Sequence, residues 1–88
     1  MYSYWLRKSV EKIFFKLANR DPRQLEIIEK KIDEIVQDPH RYKNLRGPLQ
    51  HFRRVHIDKS FVLLFSIDEK NKKVIAENYD HHDNIYRH

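Results

Sequence analysis

The chain has 88 residues, which makes one small domain (residues 1–88) that buries about 60–65% of its unfolded surface on folding. It contains no cysteine, which excludes disulfides, thiolate chemistry and cysteine-ligated zinc. No apolar run approaches the roughly 20 residues of a membrane span, and the N-terminus lacks the basic-then-apolar pattern of a signal peptide. We therefore expect a soluble cytoplasmic protein that makes no membrane contact.

The net charge of +5 is concentrated in one stretch of the chain. Residues 41–60 carry six basic side chains against one acid, whereas residues 1–40 contribute +1 and residues 61–88 contribute −1. Charge gathered in this way indicates an anionic partner, most commonly nucleic acid. The alternative is a solvated basic surface without a partner.

The first half of the chain predicts one strand and two helices. Tyr2 to Arg7 alternates aromatic and polar residues and predicts a short strand, and Ser9 is the expected cap of the first helix. Apolar residues then recur at helical spacing at Val10, Ile13, Phe14 and Leu17. Asp21-Pro22 is typical of a helix start and Asp38-Pro39 of a helix end. The stripe between them is Leu25, Ile28, Ile32 and Ile35. The short break between the helices predicts an antiparallel helical hairpin.

The second half predicts a three-stranded meander. Gly47-Pro48 indicates a turn, and His51 to Ile57 is rich in strand-forming residues and arginine. The apolar run Phe61 to Ile67 is typical of a central strand buried on both faces. Asp68 to Asn71 is a polar turn, and Lys73 to Tyr79 predicts the last strand.

The predicted order is β-α-α-β-β-β, an α+β domain with a helical hairpin packed on a small, mostly antiparallel sheet. Because this chain offers no further helix, we expect the second face of the sheet to be exposed to water or to a partner.

The basic strand contains two side chains that suit phosphodiester chemistry. Arg54 and His56 are two residues apart and therefore share one face of a regular strand, while Arg53 points the other way. Arginine pairs with phosphate oxygens and histidine transfers protons near neutral pH. The structural alternative is a solvated strand face.

A second cluster lies in the tail, where His81 and His82 are followed by Tyr86. Adjacent histidines on an extended segment point apart and zinc needs three or four ligands, so we expect no metal and no cofactor. Cleaving RNA without a metal requires a base for the 2′-hydroxyl, an acid for the leaving 5′-oxygen and a positive charge at the phosphate. Histidine, tyrosine and arginine can supply all three, although Tyr86 could equally pack the tail down.

Three further basic residues precede the basic strand. Arg41, Lys43 and Arg46 fall in a predicted loop, where lysine and arginine contact the phosphate backbone without reading sequence. Plain solubility is an equal alternative for these residues.

The pattern over essentially the full chain resembles the RelE/ParE superfamily of bacterial and archaeal toxins. Four segments carry the resemblance in addition to the order of the elements. They are Tyr42 to Gly47, similar to a leucine-basic-glycine turn; Phe52 to Val55, similar to the basic second strand of YoeB-like members; Phe61 to Asp68, similar to the third strand; and His81 to Tyr86, similar to a closing His-Arg-x-x-Val-Tyr motif.

The resemblance implies a toxin of a type II toxin–antitoxin system, a ribosome-dependent endoribonuclease that cleaves mRNA in the ribosomal A site without a metal. It implies a RelB-like antitoxin as partner, through which the complex binds operator DNA, and the ribosome and mRNA as targets. ParE-like members of the same superfamily inhibit DNA gyrase instead. A catalytically weak relative that mainly binds its antitoxin is a third alternative.

The resemblance also implies roles for individual residues. Arg54, His56, His82 and Tyr86 are the expected catalytic set. Phosphate binding is expected at Arg41, Lys43, Arg46, Arg53, Lys59 and His81. The chain departs from the family at Val62, where many nucleases have an arginine, and at His82, where relatives often have one. His56, Lys59 or His82 would have to replace that charge.

Overall fold

A single mixed sheet organises the chain in the computed structural model, which describes residues 1–85. Its strands are β1 (Ser3–Leu6), β2 (Arg53–Ile57), β3 (Phe61–Asp68) and β4 (Lys73–His81). They lie in the order β1-β4-β3-β2, with β1 parallel to β4 and the other two pairs antiparallel. The predicted α+β class and the mostly antiparallel sheet are confirmed.

Two helices, α1 (Lys8–Arg20) and α2 (Pro22–Gln37), form the predicted hairpin. The Asp21 carboxylate accepts a hydrogen bond from the Gln24 backbone N–H at 3.1 Å, which confirms Asp21 as the cap of α2. The predicted cap at Ser9 is wrong, because α1 begins directly after β1. The Arg7 N–H still bonds the Ala76 carbonyl of the sheet, while the Arg7 carbonyl accepts the first helical bond from Glu11.

The helices cover one face of the sheet and enclose the main core. Alternate residues of β2 and β3 point into it, together with three residues of β4 and the apolar stripes of both helices. Its buried members are Val10, Phe14, Ile28, Ile32, Ile35, Val36, Val55, Ile57, Leu63, Phe65, Val74, Ala76 and Tyr79. Phe65 is fully buried near the middle of β3, as the prediction of a two-sided buried strand requires.

The opposite face of the sheet is not left open as the sequence suggested. A second, smaller apolar cluster forms there from Leu45, Val62, Leu64 and Ile85, with Leu49 and Phe52 packed against it. Leu45, Leu49 and Phe52 belong to the loop before β2, and Ile85 ends a one-turn helix, α3 (His82–Ile85), that the sequence did not predict. The sequence contains no signal for α3, because its residues are polar apart from Ile85 and a single apolar side chain shows no helical period.

The loop before β2 folds back along the edge of the sheet. It contains two short 3₁₀ turns, Pro39–Arg41 and Gly47–Leu49, and Gly47 has a φ of 67°, a conformation that glycine adopts without strain. Asn44 pairs with Arg53 as an isolated bridge, and the Arg54 N–H donates to the Lys43 carbonyl. This segment therefore lies beside β2, where it builds one wall of the site described next. No helix in residues 1–85 is long and apolar enough to cross a membrane.

Candidate functional site

Arg54 and His56 project from β2 on the face of the sheet opposite the helices. Their strand neighbours Val55 and Ile57 are buried in the main core, so strand alternation turns Arg54 and His56 outward. Arg54 is half-buried and His56 is exposed. The shared face predicted for this pair is confirmed, and across the strand pair Arg54 stands opposite Leu64 and His56 opposite Val62.

His82 completes a compact group with His56. The two imidazole rings are stacked with their centroids 6.1 Å apart and their planes 27° from parallel. The His82 backbone N–H donates to the Ser60 carbonyl at 2.7 Å, which fixes the start of α3 beside the β2–β3 turn. The Asp83 carboxylate lies 3.4 Å from His82 Nδ1. Two histidines distant in sequence are therefore held together, with an acid beside one of them.

The adjacent histidines do point apart. His81 ends β4 on the helix side of the sheet. There its ring packs edge-on with the ring of Phe61, and the two ring centroids are 5.6 Å apart. His81 Nδ1 accepts a hydrogen bond from the Asp83 backbone N–H at 3.2 Å. His81 and His82 are thus on different sides of the sheet, and only His82 faces His56. Within residues 1–85, no three histidine or carboxylate side chains are grouped as metal ligands.

An open groove runs beside Arg54 and His56. Its other wall is formed by the last residue of the first 3₁₀ turn and the two residues that follow it, and its volume is about 310 Å³. The residues that line it are Arg41, Tyr42, Lys43, Arg54, Val55 and His56. Three of the six basic residues of the 41–60 stretch therefore meet in one groove, which makes its surface attractive to an anion.

Tyr42 is a groove residue that the sequence prediction did not single out. The Arg41 guanidinium lies 5.2 Å from the centre of its ring, and the ring packs edge-on against Phe65 at 5.7 Å. An aromatic residue between two basic ones, in the order Arg41-Tyr42-Lys43, was the available signal, because such rings stack on unpaired bases in nucleic-acid sites.

Arg53 points away from the groove face. Its Nη1 donates to the carbonyl oxygens of Tyr42 at 2.5 Å and of His40 at 3.3 Å. The guanidinium therefore holds the backbone of the groove wall from behind. The positive charge of Arg53 therefore interacts with main-chain carbonyl groups of the protein.

Two further predicted phosphate contacts lie outside the groove. Arg46 is exposed just before the second 3₁₀ turn, and Lys59 is exposed in the β2–β3 turn. Neither lines the groove. Tyr86 lies outside the described residues.

Val62 occupies the position at which the resemblance led us to expect an arginine. It is fully buried in the second apolar cluster and pairs with His56 across the strands. An arginine here would have to displace that cluster or reach past His56. The positive charge near the histidine pair accordingly comes from Arg54 and from the opposite wall of the groove.

Comparisons with known proteins identify two sequence relatives and several structures of the same fold. No protein-family model matches the chain. It is 58% identical over 87 residues to a protein of Methanocaldococcus jannaschii whose name assigns it as toxin RelE4, covering 99% of this chain and 93% of that one. It is 56% identical over 86 residues to an uncharacterized protein of Methanosarcina mazei, covering 98% and 100% of the two chains.

Solved structures share the fold. A chain of the RelBE2 toxin–antitoxin complex from Mycobacterium tuberculosis superposes with a TM-score of 0.75 at 24% identity, covering 91% of this chain and 90% of that one. The YoeB/ParE toxin from Agrobacterium tumefaciens superposes with a TM-score of 0.82 at 13% identity, covering 91% of this chain and 98% of that one. At these identities the superpositions support the fold, and the family follows from the M. jannaschii relative. The chain belongs to the RelE/ParE superfamily of toxins of toxin–antitoxin systems.

Proposed function

We propose that this toxin is a ribosome-dependent endoribonuclease that cleaves mRNA without a metal ion and so stops translation. The observation that carries the proposal is the stacked His56–His82 pair at the end of a basic groove, with Arg54 on the same strand face as His56. Proton-transfer groups and a guanidinium thus meet on one open surface, which can receive an extended RNA strand.

The three chemical requirements of the reaction map onto these residues. One histidine of the pair removes the proton from the attacking 2′-hydroxyl, and the other protonates the leaving 5′-oxygen as the phosphodiester bond breaks to a 2′,3′-cyclic phosphate. Arg54 stabilises the charge on the scissile phosphate through its planar donors. The Asp83 carboxylate, 3.4 Å from His82 Nδ1, orients that ring.

The groove wall supplies substrate contacts in the same proposal. Arg41 and Lys43 bind flanking phosphates, and the Tyr42 ring stacks on a base. Arg46, Lys59 and His81 remain proposed phosphate contacts at the periphery, and Tyr86 remains proposed in catalysis. Arg53 contributes indirectly, because its hydrogen bonds to backbone carbonyl oxygens stabilise the groove wall.

A RelB-like antitoxin is the proposed protein partner, and the complex binds operator DNA through it. Solved structures of the same fold support a partner of this kind, since one is a RelBE2 toxin–antitoxin complex and another is the YoeB–YefM complex from Staphylococcus aureus. The ribosome and its mRNA, in the cytoplasm, are the proposed target.

Primer extension on mRNA from a cell-free translation reaction tests the proposal. The wild-type chain is expected to produce new 5′ ends only while ribosomes translate. His56→Ala and His82→Ala are each expected to lower the cleavage rate by about 10²–10⁴-fold, the usual contribution of a general acid or base. His51→Ala is the matched control, because His51 is exposed and lies outside the groove.

Thermal unfolding of each variant separates loss of chemistry from loss of fold. Folded His56→Ala and His82→Ala proteins that cleave at the wild-type rate would refute the site. Intact mRNA with every folded variant, wild type included, would refute the nuclease.

DNA gyrase inhibition is the second candidate function. Val62 favours it, because burying an apolar residue beside His56 leaves the catalytic face with less positive charge than an arginine would give. A supercoiling assay with purified gyrase distinguishes the two: inhibition of supercoiling with intact mRNA supports the gyrase function. An inactive relative that only binds its antitoxin would affect neither assay.

A further inference from the structure

His81 holds a backbone group at the start of α3, the one-turn helix that carries His82. Its Nδ1 accepts a hydrogen bond from the Asp83 backbone N–H at 3.2 Å. The first N–H groups of a helix have no carbonyl partner within that helix, so a side-chain acceptor satisfies one of them. The preceding N–H, that of His82, donates to the Ser60 carbonyl at 2.7 Å. His81 therefore caps α3, although it is itself the last residue of β4.

The ring of His81 is held by contacts on the helix side of the sheet. His81 pairs with Phe61 across β3 and β4, and the two rings pack edge-on with their centroids 5.6 Å apart. Phe61 in turn stacks on the buried ring of Tyr79 at 5.4 Å. The Asp80 carboxylate accepts from the His81 backbone N–H at 2.7 Å and from the Asn84 side-chain amide at 3.1 Å. The acceptor at Nδ1 is thus on a ring that the core keeps in place.

The hydrogen bond from Asp83 defines the protonation state of His81. A ring nitrogen that accepts a hydrogen bond carries no proton, so His81 is neutral with its proton on Nε2. A phosphate contact makes a different demand, because a histidine binds an anion through an N–H group, most strongly when both nitrogens are protonated. A peripheral phosphate contact of His81 would therefore have to use Nε2, whereas the cap uses Nδ1.

The cap bears on the candidate site because α3 holds His82. The His82 ring stacks on His56 with 6.1 Å between the centroids, and the Asp83 carboxylate lies 3.4 Å from His82 Nδ1. The residue whose backbone N–H is capped is therefore also the one whose carboxylate lies beside the His82 ring. Because a helix of one turn is marginal on its own, the placement of its residues depends on each hydrogen bond at its start.

We propose that His81 is a positioning residue, whose Nδ1 fixes the first turn of α3 and thereby places His82 and the Asp83 carboxylate beside His56. The effect on cleavage rests on the proposed function, since proton transfer is what needs the two histidines held together. In this role His81 touches no substrate. Its loss leaves the basic residues of the groove in place, so RNA binding is retained while the chemical step slows.

Two amide substitutions separate the two ring nitrogens of His81. The side-chain oxygen of asparagine stands at the position of Nδ1, two bonds from Cβ, and commonly accepts from the backbone N–H two residues further on. The polar end of glutamine lies one bond further out, at the position of Nε2. His81→Asn therefore keeps the cap and loses the Nε2 donor, whereas His81→Gln keeps a donor at the Nε2 position and loses the cap. His81→Ala removes both.

The first measurement is mRNA cleavage in the translation reaction, with the rate at saturating ribosomes separated from the ribosome concentration at half-maximal rate. His81→Ala and His81→Gln are expected to lower the saturated rate by about 3–10-fold, the change in population that one net hydrogen bond produces, and to leave the half-maximal concentration unchanged. His81→Asn is expected to stay within about 2-fold of wild type. Loss of activity in His81→Asn with full activity in His81→Gln would overturn the proposal and support a phosphate contact through Nε2. Wild-type rates in all three variants would also overturn it.

A measurement on the protein alone keeps the positioning role separate from the nuclease. In NMR spectra at about pH 8, where an unperturbed imidazole is neutral, the ring nitrogen shifts of His81 are expected to show the tautomer with its proton on Nε2. Proton–proton contacts between the rings of His56 and His82 are expected in wild type and in His81→Asn, and they are expected to weaken in His81→Ala. A proton on Nδ1, or unchanged ring contacts in His81→Ala, would overturn the proposal whether or not the chain cuts RNA.

Failure of the proposed function has a different signature. If the wild-type chain leaves mRNA intact while the contacts between the two rings depend on the acceptor at residue 81, the nuclease is refuted and the positioning role stands. The asparagine and glutamine variants have the same polar group and differ by one methylene, so a difference between them reflects the position of the acceptor. Thermal unfolding of both variants checks that the comparison is made between folded proteins.

Discussion

Replacing Arg53 by alanine tests whether this arginine holds the groove wall. Its Nη1 donates to two carbonyl oxygens, those of Tyr42 and His40, in the segment that folds back along β2. A hydrogen bond from a charged donor stabilises a fold by about 1.5–3 kcal/mol, and two acceptors sharing one nitrogen together give about 2–4 kcal/mol. The whole free energy of unfolding of an 88-residue domain is only about 4–13 kcal/mol, so the loss is large.

The assay is thermal and urea unfolding followed by circular dichroism. Because 1 kcal/mol corresponds to about 4–8 °C in a domain of this size, Arg53→Ala is expected to lower the Tm by at least about 8 °C. Lys43→Ala is the control from the same wall. Lys43 is exposed, so its loss is expected to change the free energy of unfolding by no more than about 0.5 kcal/mol.

Arg53→Lys separates geometry from charge. Lysine keeps the positive charge but lacks the planar fork, so it is expected to recover only part of the stability. A Tm within about 2 °C of wild type for Arg53→Ala, combined with weakened RNA binding, would refute this reasoning. That result would instead support the phosphate-binding role that the sequence analysis predicts for Arg53.

Two further substitutions test the electrostatics of the fold. Glu69 accepts hydrogen bonds from Tyr2 and Lys72, which lower its pKa to about 2. Because this is below the unfolded value of about 4.3, the stabilisation is present above that pH and is lost as the pH falls toward 2. Glu69→Gln should be less stable than wild type at pH 7, with the difference narrowing from pH 5 to 3 in urea unfolding; a constant difference would contradict the assignment. The Tyr79 hydroxyl is buried without a hydrogen-bond partner in the described residues, so Tyr79→Phe should raise the free energy of unfolding by about 1 kcal/mol, whereas a lower Tm would mean the hydroxyl is bonded.

Much of the fold was predictable because local signals agreed. The Asp21-Pro22 start of α2 follows from the capping carboxylate and the fixed φ of proline, and both act within four residues. The central strand Phe61 to Ile67 follows from its apolar run. Ser9 failed as a cap because the backbone of Arg7 is still bonded to β4, a contact 69 residues away in sequence.

The candidate site was only partly predictable. The period of two along a strand places Arg54 and His56 on one face and Arg53 on the other, whatever the rest of the fold does. The sequence could not indicate that the Arg53 guanidinium would be bonded to loop carbonyls, because that depends on how residues 39–52 fold back. Tyr42 was missed for the same reason.

The sequence by itself determined the four strands, the two long helices, their order and the positive charge of the chain, since helical and strand periods are short-range properties. Only the tertiary structure decided which charges act together. It selected His82 over its neighbour His81 as the partner of His56, because β4 ends between them and α3 turns His82 across the sheet. It also placed the basic side chains of α1 and the acidic side chains of α2 on different helices. Their charges nearly cancel when they are only counted along the sequence. Both outcomes depend on contacts between residues far apart in sequence, and no local pattern encodes them.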